Sequence, residues 1–135
     1  MNKNTQIPVL LLMFALFLAA CGASGGAELE GTSWKLVEIA GHPAVAGSNP
    51  TLSFEKGQAG GNGSCNSFGG AYEAGNGKLS FGPLMSTLMY CENTMEQETA
   101  YLAALQEAAG YEIRDGILLI LDANGQVALI FEPQN

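Results

Sequence analysis

The sequence predicts a mainly β domain with one α-helix, a sheet of short strands curled around a core with the helix covering a face or an open end. Three observations carry that expectation. From Trp34 onward the apolar residues mostly recur at strand period, as Leu52 and Phe54 do in TLSFE and Leu79 and Phe81 in KLSFG. The short runs are punctuated by Asn76-Gly77, Asp115-Gly116 and Asn124-Gly125, dipeptides that suit tight hairpin turns. A single segment, ENTMEQETAYLAALQEAAG, holds helix formers without Gly or Pro before Gly110.

Taken in order, the first element is not part of the fold. Lys3 precedes the apolar run IPVLLLMFALFLAA, Ile7 to Ala20, which suits a secretory h-region and is short for a membrane span of about 20 residues. The run ends LAAC, with Cys21 directly after small residues, and this resembles a bacterial lipobox. The resemblance implies cleavage after residue 20, diacylation of the Cys21 sulfur and a lipid anchor. Two or more acyl chains hold firmly, each buried CH₂ contributing about 0.8 kcal/mol. Gly22 rather than Asp after the cysteine resembles outer-membrane sorting signals, so the expected location is the cell envelope, facing the periplasm in a Gram-negative cell. The expected organisation is therefore a signal peptide over 1–20, a lipidated cysteine and flexible linker over 21–30, and one domain over 31–135. As a coil the Gly/Ala/Ser linker spans only about 15–18 Å, which keeps the domain close to the bilayer.

Within the domain, SWKLVEI, TLSFE and KLSFG read as strands, and His42-Pro43 breaks the first after Gly41. YEIRDGILLILDANGQVALIFE reads as an antiparallel meander, with ILLIL apolar enough to be covered on both faces. In the helical segment Thr94 with Gln97, or Asn93 with Glu96, matches a capping box. Glu96 and Glu98 suit the positive end of the helix dipole as solvated first-turn acids. Met95, Leu102, Leu105 and Ala109 form the expected apolar stripe, with Tyr101 and Ala108 beside it, and Gly110 the C′ stop.

Composition excludes several functions. After cleavage four cations (Lys35, Lys56, Lys78, Arg114) face all thirteen acids, a formal charge of about −9. That is no footprint for nucleic acid, and anionic headgroups would repel it, which leaves the acyl anchor as the membrane contact. With Cys21 acylated, Cys65 and Cys91 remain, in a compartment where disulfides persist; the export signal favours a bridge over two buried free thiols.

The glycine-rich stretch GNGSCNSFGGAY, Gly61 to Tyr72, invites a phosphate-loop reading and fails it. No lysine lies between Lys56 and Lys78, and Asn66 occupies the place where a dinucleotide fingerprint needs its third glycine. Cys65 and Cys91 lack partner ligands for a zinc cluster, and DANGQ at Asp122 lacks the glycine and glutamate positions of a calcium loop. Glu92, Glu96 and Glu98 suit a solvated acidic turn better than a cation site. His42 is the one histidine, sits before a proline, and has no motif partner, so no catalytic residues, cofactor or metal are expected.

The segments GTSWKLVEIAG, TLSFEKGQAGGNGSCNSFGGAY, KLSFGPLMSTLMYC, ETAYLAAL and YEIRDGILLIL together resemble a META domain, the HslJ-like family, over Gly31 to Phe131. The most specific parts are Cys65-Asn66 with Gly69, Gly70 and Tyr72, and the STLMYC run ending at Cys91. Ser64 and Tyr90 stand where relatives usually carry smaller residues. The resemblance implies a barrel-like antiparallel fold with one helix, frequent export as a lipoprotein, and links to heat shock, antibiotic tolerance and secretion. It carries no catalytic residues over to this chain. The expected function is a non-enzymatic, monomeric envelope lipoprotein that binds an unknown protein or small-molecule partner under stress. The alternatives are an inhibitor of an envelope-attacking hydrolase such as lysozyme, or a small apolar-ligand binder.

Overall fold

A computed structural model describes residues 28–135. Cys21 and the segment 1–20 lie outside the described residues. The strands are β1 (Ser33–Ile39), β2 (His42–Pro43), β3 (Thr51–Glu55), β4 (Gln58–Asn62), β5 (Ser67–Gly75), β6 (Lys78–Phe81), β7 (Met85–Ser86), β8 (Gly110–Arg114), β9 (Ile117–Leu121) and β10 (Val127–Pro133), with helix α1 (Met95–Gln106) between β7 and β8. The order β10-β9-β8-β6-β5-β4-β3-β1 closes through an antiparallel β1–β10 pairing, giving an eight-stranded barrel with β2 and β7 as extra strands.

Period-two patterning places the core. Leu52 and Phe54 of β3, Leu79 and Phe81 of β6, and Leu129 and Phe131 of β10 all point inward and are buried. Full burial of each such side chain contributes about 1.5–3 kcal/mol, so these alternating pairs dominate stability. In ILLIL only Leu118 and Ile120 are fully buried, whereas Ile117, Leu119 and Leu121 are partly covered. The two-sided cover expected for this strand is not found, because a barrel strand has one inner and one outer face.

Two of the three dipeptides make the tight turn expected of them, whereas at Asn124-Gly125 only Gly125 has positive φ, within a longer turn closed by Asp122 N–H donating to the Gln126 carbonyl. Asn76-Gly77 and Asp115-Gly116 both have positive φ at each central residue, and so do Lys56-Gly57 and Ala40-Gly41. Ala40-Gly41 returns the chain so that His42 and Pro43 pair with Ile39 and Glu38, so His42 belongs to a short strand and is exposed. Curling needs close approaches as well. A Cβ on Gly61 would lie 2.1 Å from the Thr51 carbonyl oxygen, so β4 can cross the start of β3 only without a side chain there.

Helix α1 covers one end of the barrel with a face that keeps Leu105 of the expected stripe but is turned toward Tyr101 and Ala108. Its buried residues are Glu98, Tyr101 and Leu105, with Ala108 just beyond, while Met95 and Leu102 lie to the side. Tyr101 packs edge-on to Phe68 at 5.7 Å and donates its hydroxyl to the Thr51 carbonyl at 3.0 Å. Neither capping box forms: Thr94 is the N-cap without a side-chain bond, and Gln97 instead accepts from Val45 N–H and donates to Ser48. Gln97 thus ties the helix to the loop after β2, a tertiary use of a residue that local rules assign to the cap. The helix ends at Gln106, before Gly110, which opens β8. A Cβ on Gly110 would meet the Gly77 carbonyl at 3.0 Å, so its small size serves strand contact rather than helix termination.

The opposite end is closed by the start of the described chain. Glu28–Glu30, assigned by composition to the linker, fold onto the barrel: Leu29 is fully buried in the core. Glu30 accepts from Lys56 N–H and from the Tyr72 hydroxyl at 2.8 Å. The Tyr72 bond and the Lys56 backbone bond hold the Glu30 carboxyl below its ordinary range. Burial, then the bond to Glu30, pushes the Tyr72 hydroxyl up to about 12. A raised tyrosine contributes stability that is complete below the unfolded value of about 10 and lost as pH rises through the folded value. The urea midpoint is therefore expected to fall between pH of about 10 and 12, and Tyr72→Phe to flatten part of that fall. Burial also raises Tyr101 and Tyr111, so some slope should survive. An unchanged slope in Tyr72→Phe would sink the assignment. On the acid side the depressed Glu30 contributes stability above the ordinary carboxyl range, lost on acidification through its folded value.

Candidate functional site

The β4–β5 connection, Gly63 to Asn66, meets the N-terminal half of α1, and the chemistry there centres on a buried carboxyl group. Glu98 is 1% exposed. Its Oε2 accepts from the backbone N–H groups of Cys65 and Asn66, both at 2.8 Å, and its Oε1 accepts from Asn66 Nδ2 at 2.5 Å. Burying a carboxyl group is costly unless its oxygens are hydrogen-bonded, and here both are. Gly63 makes the room, since a Cβ on it would stand 2.6 Å from both Cγ and Oε2 of Glu98. Ser64, with φ 110°, completes the sharp turn.

Asn66 passes this order on to the chain before α1. Its Nδ2 also donates to the Met89 carbonyl at 2.9 Å, while its Oδ1 accepts from Met89 N–H at 2.7 Å and from the Thr87 hydroxyl at 2.8 Å. The side-chain amide thus imitates a backbone peptide and extends the β5–β7 ladder past Ser86, where Thr87 N–H donates to the Ser67 carbonyl. A disulfide between Cys65 and Cys91, with Cα atoms 5.8 Å apart, pins the end of this segment to the same turn. Gln106 fixes its beginning, accepting from Leu84 N–H and donating to the Gly82 carbonyl.

What is held so firmly is apolar and uncovered. Leu88 is 96% exposed, Tyr90 77% and Met85 75%, with Met89 more than half exposed. A groove of about 410 Å³ runs between this segment and α1, walled by Thr87, Leu88 and Tyr90 on one side and Met95, Thr99 and Leu102 on the other. A rigid apolar projection beside a groove is a feature of binding surfaces. Among the described residues that line the groove, no nucleophile is paired with a base.

The residues singled out in the sequence fall into place unevenly. Cys65, Cys91 and Asn66 come together. Gly70 is needed where the chain passes Pro83, whose carbonyl oxygen would lie 2.7 Å from an added Cβ. Gly69 meets no such obstacle, since the nearest atom to its Cβ would be 3.5 Å away. Tyr72 lies at the other end of the barrel, packed edge-on to Phe54 at 4.8 Å. His42 lines a separate surface hollow of about 390 Å³ with Val45, Glu96 and Gln97. Among the described residues no three His, Cys, Asp or Glu side chains are grouped to hold a metal. No helix among the described residues is long and apolar enough to cross a membrane.

Glu98 is the residue that sequence reasoning missed. Glu98, Tyr101, Leu105 and Ala108 recur at spacings of three, four and three, so the acid lies on the stripe that Tyr101 and Leu105 define. A stripe phased on the aromatic would have placed the glutamate inside.

Comparison with known proteins agrees with this architecture. The META domain family matches residues 27–135. A protein from Burkholderia xenovorans solved by NMR is 31% identical, with a TM-score of 0.65 over 81% of this chain and 86% of that one. A crystal structure of a DUF4847 family protein from Bacteroides vulgatus shares the fold at 12% identity, with a TM-score of 0.64 over 82% of this chain and 99% of that one. No curated protein matches the chain significantly.

Proposed function

This chain belongs to the META domain family, which is not a known enzyme family, and from that premise we propose that it is a non-enzymatic binding module of the cell envelope. In this reading it is monomeric, anchored by lipid at Cys21, and acts in tolerance of heat or antibiotic stress. One observation carries the proposal: the apolar segment Met85–Tyr90 is exposed yet held by Asn66, the Cys65–Cys91 bridge and Gln106. Exposure on a mobile loop would say little, whereas exposure on a fixed scaffold presents a preorganised surface.

The geometry suits an anchored protein. Glu28 and Leu29 lie at the barrel end carrying the β3–β4 turn, while the apolar segment lies with the β4–β5 turn and the start of α1. Six residues separate Cys21 from Glu28, so an anchor at Cys21 holds the first end near the bilayer and leaves the other facing outward. Deleting the gene is expected to lower survival of heat or envelope-active drugs. A Leu88→Asp copy should fold normally but fail to restore survival. Full rescue by that copy would remove the segment from the function.

A second reading, inhibition of a basic hydrolase that attacks the envelope, is favoured by the acids near the segment. Glu92 follows it in the chain, Glu96 lines the His42 hollow, and no lysine or arginine lines that hollow or the groove. Purified protein should then slow lysozyme, more strongly at low salt; unchanged turnover at any ionic strength would exclude that enzyme as target. The small-ligand alternative gains no support, since Trp34, Phe54, Tyr101 and Phe131 fill the barrel interior.

A further inference from the structure

We propose that Met85–Tyr90 is an open sheet edge that captures an extended, basic segment of a partner protein by strand addition. The inference rests on the binding-module reading above and specifies how that surface binds and what it accepts.

The backbone pattern is the first ground. Along a strand, successive residues direct their N–H and C=O groups to opposite sides. Thr87 and Met89 turn theirs toward β5, to Ser67 and to the side-chain amide of Asn66. Leu88 and Tyr90, on the alternate side, make no backbone hydrogen bond among the described residues. The result is an extended edge with one side satisfied and the other free, the template that β-augmentation uses.

The edge also lacks the usual protection. Exposed edges are ordinarily blunted by lysines, prolines or inward charges. Between Leu84 and Tyr90 there is no charged residue and no proline, and the exposed side chains are the apolar Met85, Leu88, Met89 and Tyr90 with the small polar Ser86 and Thr87. The groove beside α1 is available for alternate side chains of an added strand.

Charge selects the occupant. Glu92 follows Tyr90 by two residues at the end of the edge, and no lysine or arginine lines the groove beside it. Lys35 is paired with Glu132 and Arg114 with Glu112, Lys56 sits at the β3–β4 turn, and Lys78 opens β6 opposite Gly110. A second copy of this acidic chain would meet like charge, and an anionic bilayer would be repelled as well. A segment alternating Lys or Arg with aliphatic residues satisfies the free amides, the apolar side chains and the acidic border together.

The test uses the ¹⁵N-labelled full chain in detergent micelles and a synthetic peptide of alternating Lys and Val. The amides of Leu88 and Tyr90 should shift and become protected from exchange, more strongly at low salt. Methylating alternate peptide nitrogens, or the change Leu88→Pro, should weaken binding at least about tenfold, because strand-pairing bonds are lost. A Glu/Val peptide should not bind. The proposal is overturned if the shifts lie outside the segment, if N-methylation has no effect, or if the Glu/Val peptide binds equally. It is also overturned if vesicles containing phosphatidylglycerol, or rising protein concentration alone, protect the same amides, which would identify a lipid surface or a second copy. Peptide failure with Leu88→Asp still abolishing stress survival rejects strand addition and leaves the binding module standing. Failure of both rejects both.

Discussion

Glu98→Ala should lower the unfolding free energy by about 3–5 kcal/mol, as much as truncating a buried core aromatic. It strands three donors at once: the backbone N–H groups of Cys65 and Asn66 and the Asn66 side-chain amide. An unsatisfied buried donor costs about 1–3 kcal/mol, with some relief where water enters the vacated space. Glu98→Gln should cost less, about 1–2 kcal/mol, because its remaining oxygen can still accept from the turn. Gly63→Ala should resemble the more severe variant, since its Cβ would press on the glutamate from 2.6 Å. Urea unfolding at neutral pH measures all three. A cost below about 1 kcal/mol for Glu98→Ala would mean that the turn is organised by something else.

Removing the disulfide should come second. The bridge closes a loop across a sequence separation of 26, worth about 3.5 kcal/mol in the chain-entropy treatment. A Cys65→Ser, Cys91→Ser double variant, or reduction of the native bond, should therefore lower stability by roughly that amount. The loss should also have a local signature. Amides of Thr87 and Met89, whose partners belong to the same assembly, should exchange faster by a larger factor than those of Leu118 and Ile120 in β9. Uniform acceleration would show that the bridge stabilises the whole barrel without specially restraining the apolar segment. Equal stability of the reduced protein would show that Asn66 and Glu98 suffice.

Both predictions concern a cluster that the sequence announces only in part. Cys65 and Cys91 are readable as a pair from their number and their export context, and Asn66 from the family motif. Glu98 is not, because acidic residues in a helix's first turn have a sufficient local explanation in the dipole. The same limit explains the capping boxes. Local rules describe what Gln97 can do for its own helix, whereas the barrel places Val45 N–H and the Ser48 hydroxyl within its reach. The ILLIL strand was apolar for a reason that closure changes: a barrel needs one filled inner face, and its outer face can remain partly covered.

The strands, their hairpin turns and the existence of one helix could be read directly, since side-chain alternation and the positive φ demanded by Asn-Gly or Asp-Gly are properties of a few adjacent residues. Their assembly into a function could not. Closure of β1 on β10 joins opposite ends of the domain, and Glu98 finds Asn66 across 32 residues of chain. The open edge at Leu88 and Tyr90 exists only because Asn66 occupies the other side of that segment. Local periodicity specifies which face of an element is apolar. Whether a polar atom is satisfied, and whether an edge is left free, depends on what distant parts of the chain bring to it.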